Sequence, residues 1–168
     1  MSSNIIRYFT LFFFFCNSSI ILSQEVTSYY LLRHAEKELR NPENKNPHLT
    51  KQGEIRALNW KNIFKHISFD NIYSTNYFRT QETARPTAED KGIIVEKYDP
   101  KNLYNELFKE KNKGKKILVV GHSNTTPALA NLIIGKNIYT SIDESIHGNL
   151  YIINIINNNV TYELLNLE

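Results

Sequence analysis

Cysteine is almost missing from this 168-residue chain: Cys16 is the single one. It lies in an N-terminal apolar stretch, and if that stretch is removed on export the mature domain has none. A disulfide framework, a thiolate metal site and a cysteine nucleophile are then excluded together. An excess of one charge sign is missing as well. Twenty Lys and Arg against seventeen Asp and Glu leave a net charge of +3, without the long basic stripe that nucleic-acid binding requires. Lys109, Lys111, Lys113, Lys115 and Lys116 read as a solvated helix end and turn. There is no internal repeat, low-complexity segment or domain linker. At 41% hydrophobic, 168 residues can bury one core, so a single domain is expected.

A long apolar run is also absent. Arg7 precedes an apolar stretch from Tyr8 through Leu11, Phe12 to Phe15 and Ile20 to Leu22, which Asn17, Ser18 and Ser19 interrupt and Ser23-Gln24-Glu25 ends. The uninterrupted part falls short of the roughly 20 residues that span a bilayer, so the segment reads as a secretory signal peptide. Cleavage is expected after Ser23. Residues 1–23 are then the signal and 24–168 the domain, exported to the periplasm or secreted, with no stable membrane insertion. Phe15, which is not small, argues against lipidation at Cys16. The rival reading keeps the segment as an anchor for a membrane-tethered interaction protein.

The remainder alternates strands and helices. Tyr29 to Leu32, Asn71 to Ser74, Ile93 to Glu96 and Ile117 to Val120 read as strands, the last a continuous apolar run suited to burial on both faces. Thr50 to Ile67 reads as a helix capped by Thr50, with Ile55, Leu58, Ile63 and Phe64 at helical spacing. Tyr77 to Lys91 is a second helix that kinks or restarts near Pro86 and stops at Gly92. Leu103 to Lys113 is a third, with Leu103, Leu107 and Phe108 on one face and Gly114 at its end. Thr125 to Ile134 is a fourth, with Pro127 in its first turn and Gly135 as its stop. Leu150 to Ile156 and Val160 to Leu165, joined by three asparagines, form a terminal hairpin. This alternation predicts an α/β fold, a three-layer α/β/α sandwich with a mostly parallel sheet and an antiparallel edge.

Chemically pointed residues follow three of these strands. The first ends in Arg33-His34, the second leads into the helix that bears Arg79, and the fourth ends in Gly121-His122. The carboxyl ends of parallel strands share one edge of a sheet, which is where such folds bind ligands. Two guanidinium groups and two imidazoles brought together there make a site for a dianion. Arginine grips two phosphate oxygens through its planar fork, and an imidazole can attack phosphorus. No His-Glu-x-x-His or similar ligand spacing occurs, and the arginines supply the charge that a metal would bring, so no metal or cofactor is called for.

The order of these motifs resembles the histidine phosphatase superfamily, with its phosphoglycerate mutase-like fold, in the small branch of bacterial phosphohistidine phosphatases. Leu31-Leu32-Arg33-His34-Ala35-Glu36 is similar to the family's Arg-His-Gly or Arg-His-Ala signature, and Leu49-Thr50-Lys51-Gln52-Gly53 to its Leu-Thr-x-x-Gly turn. Tyr73-Ser74-Thr75, Arg79-Thr80 and Thr83-Ala84 resemble the segment of the second phosphate arginine. Val120-Gly121-His122-Ser123 matches the second histidine. The resemblance implies a metal-independent phosphatase acting on a phosphorylated small molecule or a phosphoprotein. His34 would carry a phosphohistidine, while Arg33, Arg79 and His122 bind the phosphoryl oxygens, His122 best as a cation coupled to His34.

The proton donor to the leaving group stays open. Asp99 is the first choice, because larger members use a carboxylate after the third strand, although an Asp before Pro100 also forms turns. Asp143, Glu144 and Glu36 are the alternatives. Ser123 departs from the acid phosphatase branch, which has an Asp at that place. No insertion long enough for a cap is present, so an open site and not a mutase is expected. His48 and His147 read as polar loop residues. The alternative function is a non-catalytic phosphate- or phosphoprotein-binding module of the same fold.

Overall fold

A computed structural model describes residues 25–102 and 104–168; the expected signal peptide, its cleavage point and Leu103 lie outside the described residues. Among the described residues six strands form one sheet: β1 (Val26–Arg33), β2 (Asn71–Ser74), β3 (Val95–Lys97), β4 (Lys116–Gly121), β5 (Asn149–Ile156) and β6 (Asn159–Asn166). Their spatial order is β3-β2-β4-β1-β5-β6. The β2–β3, β2–β4 and β1–β4 pairs are parallel and the β5 and β6 pairings antiparallel, so the sheet is mostly parallel with an antiparallel edge. Asn157 and Asn158, with φ of 48° and 65°, turn the β5–β6 hairpin. Two consecutive left-handed residues suit a tight hairpin turn, and asparagine tolerates that region.

Helices α1 (Lys51–Ile63), α2 (Phe78–Lys91), α3 (Glu106–Asn112) and α4 (Thr125–Ile134) complete the fold. Successive strand residues point to opposite faces, and both faces are covered. Tyr29, Leu31, Ile117 and Val119 join Leu129, Ala130 and Ile133 of α4 on one side, with Phe108 of α3 packed against them. On the other side Leu32, Leu118, Val120 and Ile72 join Trp60 of α1, Phe64, and Ala84 and Ala88 of α2. The result is the three-layer sandwich.

Several expected details change. The expected face of α1 is wrong apart from Phe64: Ile55, Leu58 and Ile63 are exposed, and the helix buries Gly53, Ala57 and Trp60. Small residues let α1 approach closely, and Trp60 fills the space beyond them. α2 runs unbroken through Pro86. α3 starts later than expected, because Asn105 caps it by accepting from the Phe108 N–H; Leu107 is exposed and Phe108 packs against the core.

The helix starts set the site. Thr50 accepts from the Gly53 N–H at 3.1 Å and its own N–H donates to the Glu36 carbonyl at 2.9 Å. A Cβ on Gly53 would lie 2.2 Å from that carbonyl oxygen, so glycine admits the chain that follows His34. This accounts physically for the Leu-Thr-x-x-Gly spacing.

Candidate active site

β1 and β4 lie in register with Arg33 opposite Gly121, and β2 with Ser74 opposite Val120, so three strands end level with one another. The turns beyond them bring Arg33, His34, Arg79 and His122 together. The His34 and His122 rings stand 5.4 Å apart, edge to face. The main chain links the elements: the His34 N–H donates to the Gly121 carbonyl at 3.0 Å. The Ala35 N–H donates to Thr83 Oγ1 at 3.0 Å, and that hydroxyl donates to the Arg79 carbonyl at 2.6 Å. Thr83 thereby ties the turn after β1 to the turn of α2 that carries Arg79.

Arg33 is 1% exposed. Its Nη1 donates to the carbonyls of Asp143 and Ile146, each at 2.9 Å, and its Nη2 pairs with the Glu144 carboxylate. The Nε is buried without a partner, as are Nε and Nη1 of Arg79, whose guanidinium lies 4.4 Å above the Tyr77 ring. Buried unpaired donors on two cations are costly. They are what an oxyanion would satisfy. With Nη1 committed to the 143–146 loop, the Nε–Nη2 edge of Arg33 is its two-pronged face for a phosphoryl group.

His34 is 3% exposed, and its Nδ1–H donates to the Ala35 carbonyl at 2.8 Å. The tautomer is thus fixed, and Nε2 carries the lone pair. Burial, and then the charges of Arg79, His122 and Arg33, lower its pKa from 6.5 to about 2, against the opposing Ala35 bond. The imidazole is neutral throughout the physiological range.

The orientation of His122 follows from a hydroxyl relay. Thr80 Oγ1 lies 2.9 Å from the carbonyls of Thr75 and Tyr77, which can only accept. Thr75 therefore donates to Thr80 at 2.9 Å, and His122 Nε2–H donates to Thr75 Oγ1 at 2.9 Å. Burial, Arg79, Lys37 and Arg33 lower the His122 pKa to about 4. His122 is neutral in the free site, contrary to the expected cation, because burial first and then the neighbouring cations penalise its charged form.

Of the donor candidates, Glu144 alone brings its carboxylate to a site side chain. It pairs with Arg33 and accepts from Ser123 Oγ at 2.7 Å, and the Ser123 bond, followed by the Arg33 and Lys37 charges, lowers its pKa. Asp99, the first choice, is exposed and accepts from the Lys101 N–H at 2.9 Å: it is the turn former that Asp-Pro also suggests. Asp143 accepts from the backbone N–H and hydroxyl of Ser145. Glu36 is held by Arg56.

Two histidines divide. His48 stays outside, bonded to Glu82 and stacked on Phe78. His147 is 8% exposed and donates from Nδ1 to the His34 carbonyl at 3.0 Å, a role that no sequence pattern in its loop announces. Gly121 is equally positional: a Cβ there would lie 2.8 Å from Thr126 Oγ1 and 3.0 Å from the Tyr98 hydroxyl. Among the described residues no group of three His, Cys, Asp or Glu side chains could hold a metal ion, and no helix is long and apolar enough to cross a membrane.

Fold and site together define an α/β protein with two arginines and two histidines clustered at the carboxyl edge of its sheet. Residues 29–100, which include Arg33, His34 and Arg79, match the family model of the histidine phosphatase superfamily, branch 1, so the resemblance to that superfamily holds over this span. No curated protein matches the sequence. Solved structures share the fold. An alpha-ribazole phosphatase from Shigella flexneri superposes with a TM-score of 0.66 at 18% identity, over 83% of this chain and 96% of the other. The protein histidine phosphatase SixA, complexed with tungstate, gives 0.65 at 12% identity over 83% and 96%. A phosphoglycerate mutase from Bacillus anthracis str. Sterne gives 0.61 at 16% identity over 84% and 93%. The fold is therefore phosphoglycerate mutase-like.

Proposed function

We propose that the protein is a metal-independent phosphatase that hydrolyses phosphomonoesters or phosphohistidine through a phosphohistidine on His34. The observation that carries this reading is the state of His34: neutral, fixed by its Nδ1–H bond to the Ala35 carbonyl, and clustered with two arginines that have buried unpaired donors. A pure binding site has no use for a lone pair held in this way.

In the first step His34 Nε2 attacks phosphorus, a P–N bond forms and the bond to the leaving group breaks. The leaving oxygen or nitrogen takes a proton. Arg33, through Nε and Nη2, and Arg79, through its unpartnered donors, hold the phosphoryl oxygens and offset the charge that builds on them. His122 regains its tendency to protonate beside the bound dianion and donates to a phosphoryl oxygen. Water then attacks the phosphohistidine, the P–N bond breaks, and inorganic phosphate leaves with His34 restored. Glu144 alone of the four carboxylates touches Arg33, but the Ser123 bond and the Arg33 pairing hold it ionised, so the leaving-group proton comes from water, which the second step's attacking water restores.

The test is hydrolysis of p-nitrophenyl phosphate and of a phosphohistidine peptide, without added metal, by wild type and His34→Ala. Turnover by the wild type, with a loss of at least about 1,000-fold in the variant, is expected. Equal inactivity of both proteins on both substrates would favour a binding module. Residues 1–23 are proposed to direct export; the N-terminal residue of the protein recovered from host cells checks this, a start at Met1 counting against it.

A further inference from the structure

A second pocket adjoins the phosphate site. It has a volume of about 290 Å³, and Lys37, Leu39, Pro42, Lys45, Pro47 and Arg79 form most of its wall. Arg79 is common to both sites. Whatever hangs from a phosphoryl group gripped by Arg79 therefore has this pocket beside it.

The wall is built rather than loose. Lys37 is bridged to Leu49 and the Glu38 N–H donates to the His48 carbonyl at 2.9 Å, which anchors the loop where it leaves the catalytic strand. At its other end the Asn46 side chain accepts from the Phe78 N–H at 2.8 Å, one residue before Arg79. Asn44 Oδ1 accepts from the Asn46 N–H at 3.0 Å, so both neighbours of Lys45 are tied.

The charge in this pocket is unbalanced. Glu38, the one carboxylate of its wall, is taken by Arg40 at 2.7 Å. Among the described residues neither Lys37 nor Lys45 has an ion-pair partner, and Lys37 and Lys45 are the two lysines on this pocket's wall. Lys37 is half-buried, and its charge acts on both His122 and Glu144.

We propose that this pocket is the leaving-group subsite and that it selects small phosphomonoesters whose leaving group bears a second anionic group, a carboxylate or a phosphate, for Lys37 and Lys45. The inference rests on the phosphatase reading. The pocket's volume suits a small organic group rather than a protein surface, and Leu39, Pro42 and Pro47 give it apolar walls for a carbon skeleton.

The experiment compares 3-carboxyphenyl phosphate with its neutral carboxamide, two probes of nearly the same shape. In the wild type kcat/KM should favour the carboxylate by about 5- to 20-fold, the range expected if each lysine contributes about one ion pair. In Lys37→Gln/Lys45→Gln the ratio should fall toward one, and in Lys45→Gln, which changes only an exposed side chain, partway. Equal kcat/KM for the two probes in the wild type overturns the proposal, and so does a preference that survives in the double variant. Hydrolysis of phosphohistidine peptide with neither probe turned over overturns it too, while keeping the phosphatase. If His34→Ala matches the wild type on all three substrates, the phosphatase reading itself has failed.

Discussion

At the scale of single residues, the site holds two guanidinium groups that nothing among the described residues neutralises fully, and one carboxylate that stands in their way. Glu144 occupies Nη2 of Arg33, one of the two donors on the edge that faces a phosphoryl group, so an oxyanion must displace or share that bond. Glu144→Gln removes the competing charge and keeps a hydrogen-bonding group for Ser123. Inhibition by inorganic phosphate or vanadate should tighten by about 3- to 10-fold, the order of one partly exposed ion pair. Equal inhibition constants for variant and wild type would show that the carboxylate does not contest the fork. Arg33, His34, Arg79 and His122 were all legible in the sequence, because each sits at or just after the end of an element whose periodicity is plain. Glu144 was legible only as one of several donor alternatives and His147 only as a polar loop residue: their placement depends on a loop, 142–148, whose carbonyls Arg33 binds. Asp99 was misread because a carboxylate after a strand suggests catalysis equally whether it faces the pocket or caps its own turn.

At the scale of elements, the catalytic turn is held by the helix that follows it. α1 starts so close to the main chain after His34 that no side chain fits at position 53. For Gly53→Ala the added methyl would meet the Glu36 carbonyl oxygen at 2.2 Å, and backbone on both sides leaves little room to yield. A loss of about 1–3 kcal/mol is expected, measurable as a lower denaturant midpoint with an unchanged slope, together with a fall in kcat, since the shift reaches His34 through two peptide units. Full stability in the variant would mean that α1 can slide without cost. The strands and helices themselves were largely readable, the buried strands most of all. The face of α1 was not, because apolar residues at helical spacing point to a core face only when large side chains make the contact. Here Gly53 and Ala57 bring the helix in, Trp60 and Phe64 fill the gap, and Ile55, Leu58 and Ile63 are left outside.

At the scale of the whole molecule, a site that keeps two histidines neutral couples folding to pH. His34 titrates near 6.5 when unfolded and near 2 when folded, and His122 near 6.5 and near 4. Both folded values are depressed, so above about pH 6.5 neither ring is charged in either state and neither affects stability. As pH falls below 6.5 the unfolded chain takes up protons that the folded one refuses, and stability drops. For the buried His34 alone the loss reaches about 2 kcal/mol by pH 5. The depressed carboxylates, Glu36, Asp143, Glu144 and Glu168, work in the same direction but at lower pH, from the ordinary carboxylate range downward, so most of the loss between pH 6.5 and 5 belongs to the histidines. Urea unfolding at pH 7.5 and pH 5 should give a clear loss for wild type and a loss smaller by about 2 kcal/mol for His34→Gln, which keeps a polar side chain without a titrating ring. Parallel losses in the two proteins would mean that His34 accepts a proton in the folded state. A nucleophile that accepted one would have no lone pair for phosphorus, so this stability measurement bears on the chemistry without any substrate present.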